Sequence, residues 1–535
     1  MKPGKIKFQS VKTDIVVMDG GLNENVSSLE MKGGELISCE NYYITEGSTG
    51  GYVSVPGYEV YDGHPSPSLV GASELDHAAQ DAARALIDEV PGIDPVLATV
   101  YFKEKLYAFR NEAGGLTAAM FVETAAGWIE IDTSADPLEP DGKYTFLQYN
   151  FLATEDTLVL IWTDGVNQAR MFDGTTITTL VNAGMGADDK PTFCAVWGER
   201  LFLSYRGGSL QCSTSGDPTD FTADPVELGI GYEITSLNPI VGGTLVIFCD
   251  TAIRTLSGNS TITADWVMQT FTTTFGAYPY TVCDLFDTLI FMSDYGVTTL
   301  SAAQEYGDFA ANSLSSKVKK TLERYKAQIT CAVVLQHLNQ YRLYFSNNRF
   351  LIFSFLNKKL RGVTKGQYLT SVHTVATGKD SLDNVLHFFT SSTGFVYKGD
   401  VGTSFNGSNI KTRLATAYYH YKSPRSWKAF QRVMFELSCQ SDITACVRPT
   451  FDYFDLQLPK TSEDFFDVTG LGDVYGEGIW GTFKYSGAEL TTRNTYYFQA
   501  LASNMSINFG TDNAFYRQHT IQNFITDYTI VGRQQ

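Results

Sequence analysis

GERLFLSY at 198–205 and GGTLVIF at 242–248 are one phrase written twice: a polar turn, a leucine, then alternating apolar and aromatic residues. Five more copies align on that leucine: KEKLYAF (103–109), EDTLVLIW (155–162), FDTLIFM (286–292), QYRLYFS (340–346) and NVLHFF (384–389). In order, Leu106, Leu158, Leu201, Leu245, Leu289, Leu343 and Leu386 are 52, 43, 44, 44, 54 and 43 residues apart. A strand phrase recurring at this period marks a four-stranded propeller blade. Most copies run through a short turn into a second strand, as in CDTAIRTLSG (249–258), SNNRFLIFSF (346–355) and SSTGFVYKGD (391–400). A lone hairpin cannot bury both of its faces, so neighbouring units must stack, and closing the ring protects the edges. Seven copies predict seven blades, with six the alternative if one copy belongs to a flanking sheet.

Composition agrees with an all-β chain. Aromatic residues make up 13% of the 535 residues and charged residues only 18%, with 47 glycines for turns. The eight cysteines are scattered, mostly in apolar strand-like runs such as TFCAV (192–196), and no CxxC pair occurs, so buried free thiols are expected. The length implies two or three domains, or one large ring of repeats plus appendages. Residues 1–70 read as N-terminal strands packing with a platform, 71–94 as a helical insertion, 95–405 as the propeller and 406–535 as a C-terminal β-sandwich. The helical signal at 73–90 puts Leu75, Ala79, Ala83, Leu86 and Ile87 on one face and ends at Pro91-Gly92. A second, basic helix is expected at 313–326, inside the propeller. Chain ends often lie together, so the two terminal segments are expected to share the platform.

The N-terminal stretch lacks a signal-peptide core, and no run approaches the roughly 20 apolar residues that span a bilayer. A soluble protein made in the cytoplasm is expected. Net charge is −18, which argues against nonspecific nucleic-acid affinity, because that needs many Lys and Arg against phosphates. Charge is also divided along the chain. Residues 60–310 carry 34 Asp and Glu against 10 Lys and Arg, whereas 311–432 carry 4 against 19. Two regions facing different neighbours follow from this split. Lys317, Lys319, Lys320, Arg324 and Lys326, with Lys358, Lys359 and Arg361, form a candidate assembly interface for an acidic neighbouring surface. The plainer alternative is a solvated face.

Catalytic and cofactor motifs are absent or out of context. Asp294-Tyr295-Gly296 resembles an Asp-box turn but has Met292 where serine belongs, and is read as a hairpin turn. Gly476–Gly481 spells GxGxxG without the strand and helix a dinucleotide site needs. The seven histidines form no metal-ligand pair, and the acidic loop 132–142 lacks the alternating order of a calcium loop. No catalytic, cofactor or metal residue is therefore expected, and the chain is read as a non-enzyme.

Several phrases resemble the tail nozzle proteins of short-tailed bacteriophages: GGLNENVSSLEMKGGELISCENYYI (20–44), GYVSVPGYEVYDGHPSPS (51–68), ARALIDEVPGIDPV (83–96) with KLYAFRN (105–111), SDYGVTTLSAAQEYGDFAANSLSSKVKKTLE (293–323) and KSPRSWKAFQRVMFEL (422–437). The resemblance implies a virion structural protein: a propeller on a β-rich platform, assembled as a homo-hexameric ring below the portal and adaptor. Tail fibres or a needle would dock on it, and genomic double-stranded DNA would pass with only transient contact. An acidic conduit repels phosphate, which suits such passage. The alternative is a carbohydrate-binding or carbohydrate-cleaving propeller, for which the 30 tyrosines supply stacking surfaces.

Overall fold

The aligned leucine phrases are, one for one, the second strands of seven antiparallel sheets: Lys105–Asn111, Val159–Thr163, Arg200–Tyr205, Thr244–Cys249, Thr288–Ser293, Gln340–Phe345 and Val385–Thr390. These sheets are blades 1–7 of a β-propeller. The computed structural model describes residues 10–533 apart from 29, 46–49, 71–75, 135, 155–156, 183–184, 187, 222–226, 241–242, 259–262, 287, 301–312, 440–442, 454–463, 469–490 and 513–517. For 464–468, 491–493 and 533 it describes the backbone alone.

Strand alternation explains why the leucine recurs. Successive side chains point to opposite faces of a blade, and each face meets a different neighbour. In blade 3, Leu201, Leu203 and Tyr205 enter the core shared with blade 2, while Phe202 enters the core shared with blade 4. In blade 4, Leu245 and Ile247 face blade 3, and Val246 and Phe248 face blade 5. Leu106, Leu289 and Leu343 likewise face the preceding blade. Both faces being buried, the phrase is mostly apolar.

Blades 1–4 and 6 are built from four consecutive strands each, and blade 5 shows three among the described residues. Blade 7 takes its fourth strand from the other end of the chain. Tyr58–Tyr61 pairs antiparallel with Val396–Gly399, Tyr61 opposite Val396 and Tyr58 opposite Gly399. The reading that placed all of 1–70 with the platform is corrected here: this strand closes the ring. Its anchor is Tyr58, whose ring meets those of Tyr368, Phe389 and Phe405 at 4.9, 5.3 and 5.0 Å. A further core of Leu106, Ala108, Phe121, Phe388 and Val396 joins blade 7 to blade 1.

The platform is a sandwich of two six-stranded sheets. One is ordered Thr491–Ala502, Ser426–Cys439, His519–Arg533, Tyr52–Ser54, Tyr42–Ile44, with Lys12–Val17 also on His519–Arg533. The other is ordered Gly21–Leu22, Glu35–Glu40, Thr412–Thr416, Met505–Thr511, Ile443–Phe451, Asp464–Val468. Both chain ends thus contribute to both sheets. Its core, including Phe435, Phe509 and Phe524, is continuous with Leu343, Phe353 and Val363 of blade 6.

Helices are short. The first spans His77–Arg84, capped by the Asp76 carboxylate accepting from the Ala79 amide at 3.2 Å. It stops before Leu86, which is 66% exposed instead of lying on the expected apolar face, and Leu75 is outside the described residues. The second spans Lys319–Tyr325, flanked by single 3-10 turns at Ser316–Val318 and Lys326–Gln328.

Candidate functional site: the channel and the basic seam

Each blade's first strand is an edge strand of its sheet, and these seven strands line the propeller channel. Residues 98–101, 145–149, 193–196, 236–239, 282–284, 331–334 and 374–379 enclose about 1090 Å³. One mouth is bridged. Tyr280, just ahead of blade 5, donates its hydroxyl to the Lys143 carbonyl ahead of blade 2 at 3.1 Å. Its carbonyl accepts from the Ala332 amide of blade 6 at 3.0 Å, and its ring lies 5.5 Å from that of Phe193 in blade 3. The Lys143 ammonium sits 3.9 Å from the centre of the Tyr280 ring.

Lys143 and His373, which precedes blade 7, are both solvent-exposed side chains within this channel. The surrounding walls displace enough water to lower the Lys143 pKa. The His373 pKa is lowered by the same desolvation and by the Lys143 charge. A DNA duplex, whose major groove alone is about 12 Å wide, does not fit a mouth closed by one tyrosine.

The eight basic residues singled out from sequence do not act as one patch. Lys317 pairs with Glu35 at 2.9 Å and donates to the Gly20 carbonyl at 3.0 Å. Burial would raise the Glu35 pKa, but Lys317, the Lys32 amide and Asn23 outweigh it and lower it. Arg361 donates to the Thr45 carbonyl at 2.8 Å, and Lys326 pairs with Asp294 at 2.7 Å. Lys319 sits one helical turn from Glu323 at 3.7 Å. Lys358 is at the tip of a hairpin whose two turn residues, Asn357 and Lys358, have φ of 50° and 64°. Lys319, Lys320, Arg324, Lys358 and Lys359 are the exposed members.

Lys326 stays within the ring, whereas Lys317 and Arg361 belong to a seam between ring and platform that includes Glu24. Its backbone amide donates to the Lys317 carbonyl at 2.8 Å, and its carboxylate accepts from Thr321 at 2.7 Å and pairs with Lys365 of blade 6. Glu24→Gln is expected to lower stability by about 1–2 kcal/mol, since the interaction is only partly buried. Chemical unfolding measures this, and a change below about 0.3 kcal/mol would remove Glu24 from the seam's energetics.

A buried cluster was not anticipated. Arg342 of blade 6 is fully buried and contacts Asp400 at 2.9 Å, and Asp400 also bonds His387 of blade 7 at 2.9 Å. The one signal in the sequence is an arginine inside the apolar phrase QYRLYFS. Other motifs resolve as ordinary structure. Asp294-Tyr295 is the hairpin turn of blade 5, and in the acidic loop Asp132 caps the Ser134 amide and Asp136 holds Arg170 and Thr179. Residues 476–481 lie outside the described residues. Among the described residues, no three His, Cys, Asp or Glu side chains are grouped to hold a metal ion, and no helix is long and apolar enough to cross a membrane.

The class these features define is a seven-bladed β-propeller carrying a β-sandwich platform made from its own chain ends. No family model matches the chain, and no curated protein matches it. Solved structures similar to it include that of YCF48 bound to a D1 peptide, at 11% identity and TM-score 0.37, covering 58% of this chain and 95% of that one. Another is the BBS1N complex with ARL6DN, at 10% and 0.36, covering 59% and 96%. A third is an exo-beta-1,3-galactanase of Phanerochaete chrysosporium, at 8% and 0.26, covering 82% and 96%.

Proposed function

We propose that this chain is a non-enzymatic structural subunit of a virion: the distal nozzle of a short phage tail, built as a homo-hexameric ring. It would dock on the adaptor below the portal, carry fibres or a needle, and let double-stranded DNA pass. The observation that carries this reading is the charge division mapped on the fold. The acidic residues 60–310 make up blades 1–5, and the basic residues 311–432 make up blades 6 and 7 and the first strands after them. A disc acidic on one arc and basic on the other suits head-to-tail contact between copies in a cyclic ring. Because the propeller's own channel is bridged by Tyr280, the DNA conduit in this reading lies between subunits.

Reversing Lys319, Lys320 and Arg324 to Glu is expected to abolish rings in negative-stain images and sizing at about 0.05 M salt, where exposed charges act furthest. The same purified protein should form rings without the substitutions, alone or on its adaptor. Rings that survive the triple reversal would sink the charge-matching role. A monomer that binds or cleaves glycans would replace the nozzle reading with the carbohydrate one.

A further inference from the structure

We propose that the bridged mouth of the propeller channel is a binding site for a small organic oxyanion, a carboxylate or phosphate group held between Lys143 and His373 over the ring of Tyr280. The site is independent of any ring assembly, because all of its walls come from one chain.

Three observations converge there. The first is space: the channel's roughly 1090 Å³ is the size of cavities that take small ligands, and its walls are strand edges with backbone groups free to hydrogen-bond. The second is unbalanced charge in an otherwise acidic protein. The Lys143 ammonium has the Tyr280 ring beneath it, and no carboxylate among the described residues pairs with it. A nearby acid, Asp164, is turned into its own loop. Its carboxylate accepts from the Val166 amide at 3.0 Å and from the Asn167 amide and side chain at 2.7 Å each, so both of its oxygens are engaged within that loop. The channel's lining acids stand toward the other mouth: Glu104 is in the turn after Ile93–Phe102, and Asp284 is next to the turn after Cys283–Leu285.

The third is chemistry. A cation stacked on an aromatic face keeps its N–H donors on the open side, and the phenol and Phe193 give a flat apolar wall for the ligand's body. His373 adds a second donor that gains a proton when an anion arrives, since an opposite charge favours the imidazolium. The groups facing this pair are Tyr280, Cys331 and Asp164; the thiol and phenol are neutral at physiological pH, with burial pushing Cys331 up to about 12.

Calorimetric titration of the full chain with inorganic phosphate and with phenyl phosphate tests the proposal. Both are expected to bind one site, the phenyl ester more tightly because of its ring. With benzenesulfonate, whose charge is constant over this range, affinity should rise as pH falls from 8 to 6, through His373. Lys143→Gln should weaken binding about tenfold or more, the worth of one charge-assisted contact, with an unchanged thermal melt. Lys143→Arg should stay within a few-fold of wild type. The absence of saturable binding to either probe, wild-type affinity in Lys143→Gln, or an equal loss in Lys143→Arg and Lys143→Gln would each overturn it.

Discussion

Asp400→Asn is expected to destabilise the protein by about 3–5 kcal/mol, the cost of leaving a buried guanidinium without its counter-charge. The side chain of Arg342 is fully buried and that of Asp400 is 11% exposed, so water compensates little when the pair is broken. Burial by itself would raise the Asp400 pKa, but the Arg342 charge and the His387 hydrogen bond outweigh it and hold the carboxyl well below the usual carboxylate range. The pair therefore stabilises the fold throughout neutral pH, and that contribution fades only in strong acid. Its position raises the stakes. Asp400 directly follows Val396–Gly399, the strand on which Tyr58–Tyr61 closes the ring, so the pair ties blade 6 to the closing blade.

Replacing both partners gives the discriminating measurement. Removing the buried charge along with its partner relieves the unpaired guanidinium, so Arg342→Met with Asp400→Asn, which keeps a residue suited to the φ of 59° at position 400, should lose much less than Asp400→Asn alone. Denaturant unfolding of the two variants reads this directly. A loss under about 1 kcal/mol for Asp400→Asn would mean that the cluster is hydrated and carries little.

The ring was readable because one rule governs every blade. A strand buried on both faces is mostly apolar, and the second strand of each blade follows that pattern apart from partnered polar residues such as Arg342 and His387, which is why Leu106 through Leu386 aligned. The first strands carry no such phrase: they border an open channel and tolerate Gln148, Asn238 and Lys379 beside apolar neighbours. The closing strand Tyr58–Tyr61 was hidden for another reason. Its local pattern reads as a strand, but nothing local says which sheet it joins, and its partner lies some 340 residues later, as the bond from Val60 to Asn406 illustrates. Summed charge misled for the same reason. Lys317 counted as part of a docking face, yet it bonds Gly20, 297 residues earlier in the chain. The mouth of the channel gathers Lys143 and Tyr280, 137 residues apart, from turns that look like any others.

Acidification from pH 7 to 4 is expected to cost the platform about 3 kcal/mol through one residue, His519. This histidine is 2% exposed, and burial pushes its pKa down to about 4 from an ordinary 6.5. A chain of hydroxyls explains why the neutral ring is needed. Thr412 of one sheet donates to the Tyr42 hydroxyl at 3.0 Å, and Tyr42 in turn donates to Nε2 of His519 at 2.8 Å in the other. Thr511 meets Thr412 at 2.7 Å on the far side. With its proton on Nδ1 the neutral ring accepts at Nε2, which the doubly protonated ring cannot do. Between pH 6.5 and 4 the unfolded chain takes up a proton that the folded chain refuses, so stability falls as pH falls through that window. His373 and His420 also have lowered pKa values, and carboxylates add to the slope below about pH 5, so the wild-type curve alone does not isolate the effect. The comparison with His519→Gln does. Glutamine offers Tyr42 an acceptor that does not titrate, so the variant's stability should run about 3 kcal/mol flatter than wild type across that window. Parallel curves for the two proteins from pH 7 to 4 would show that the sandwich opens around His519 without cost, and that the hydroxyl chain does not hold the two sheets together.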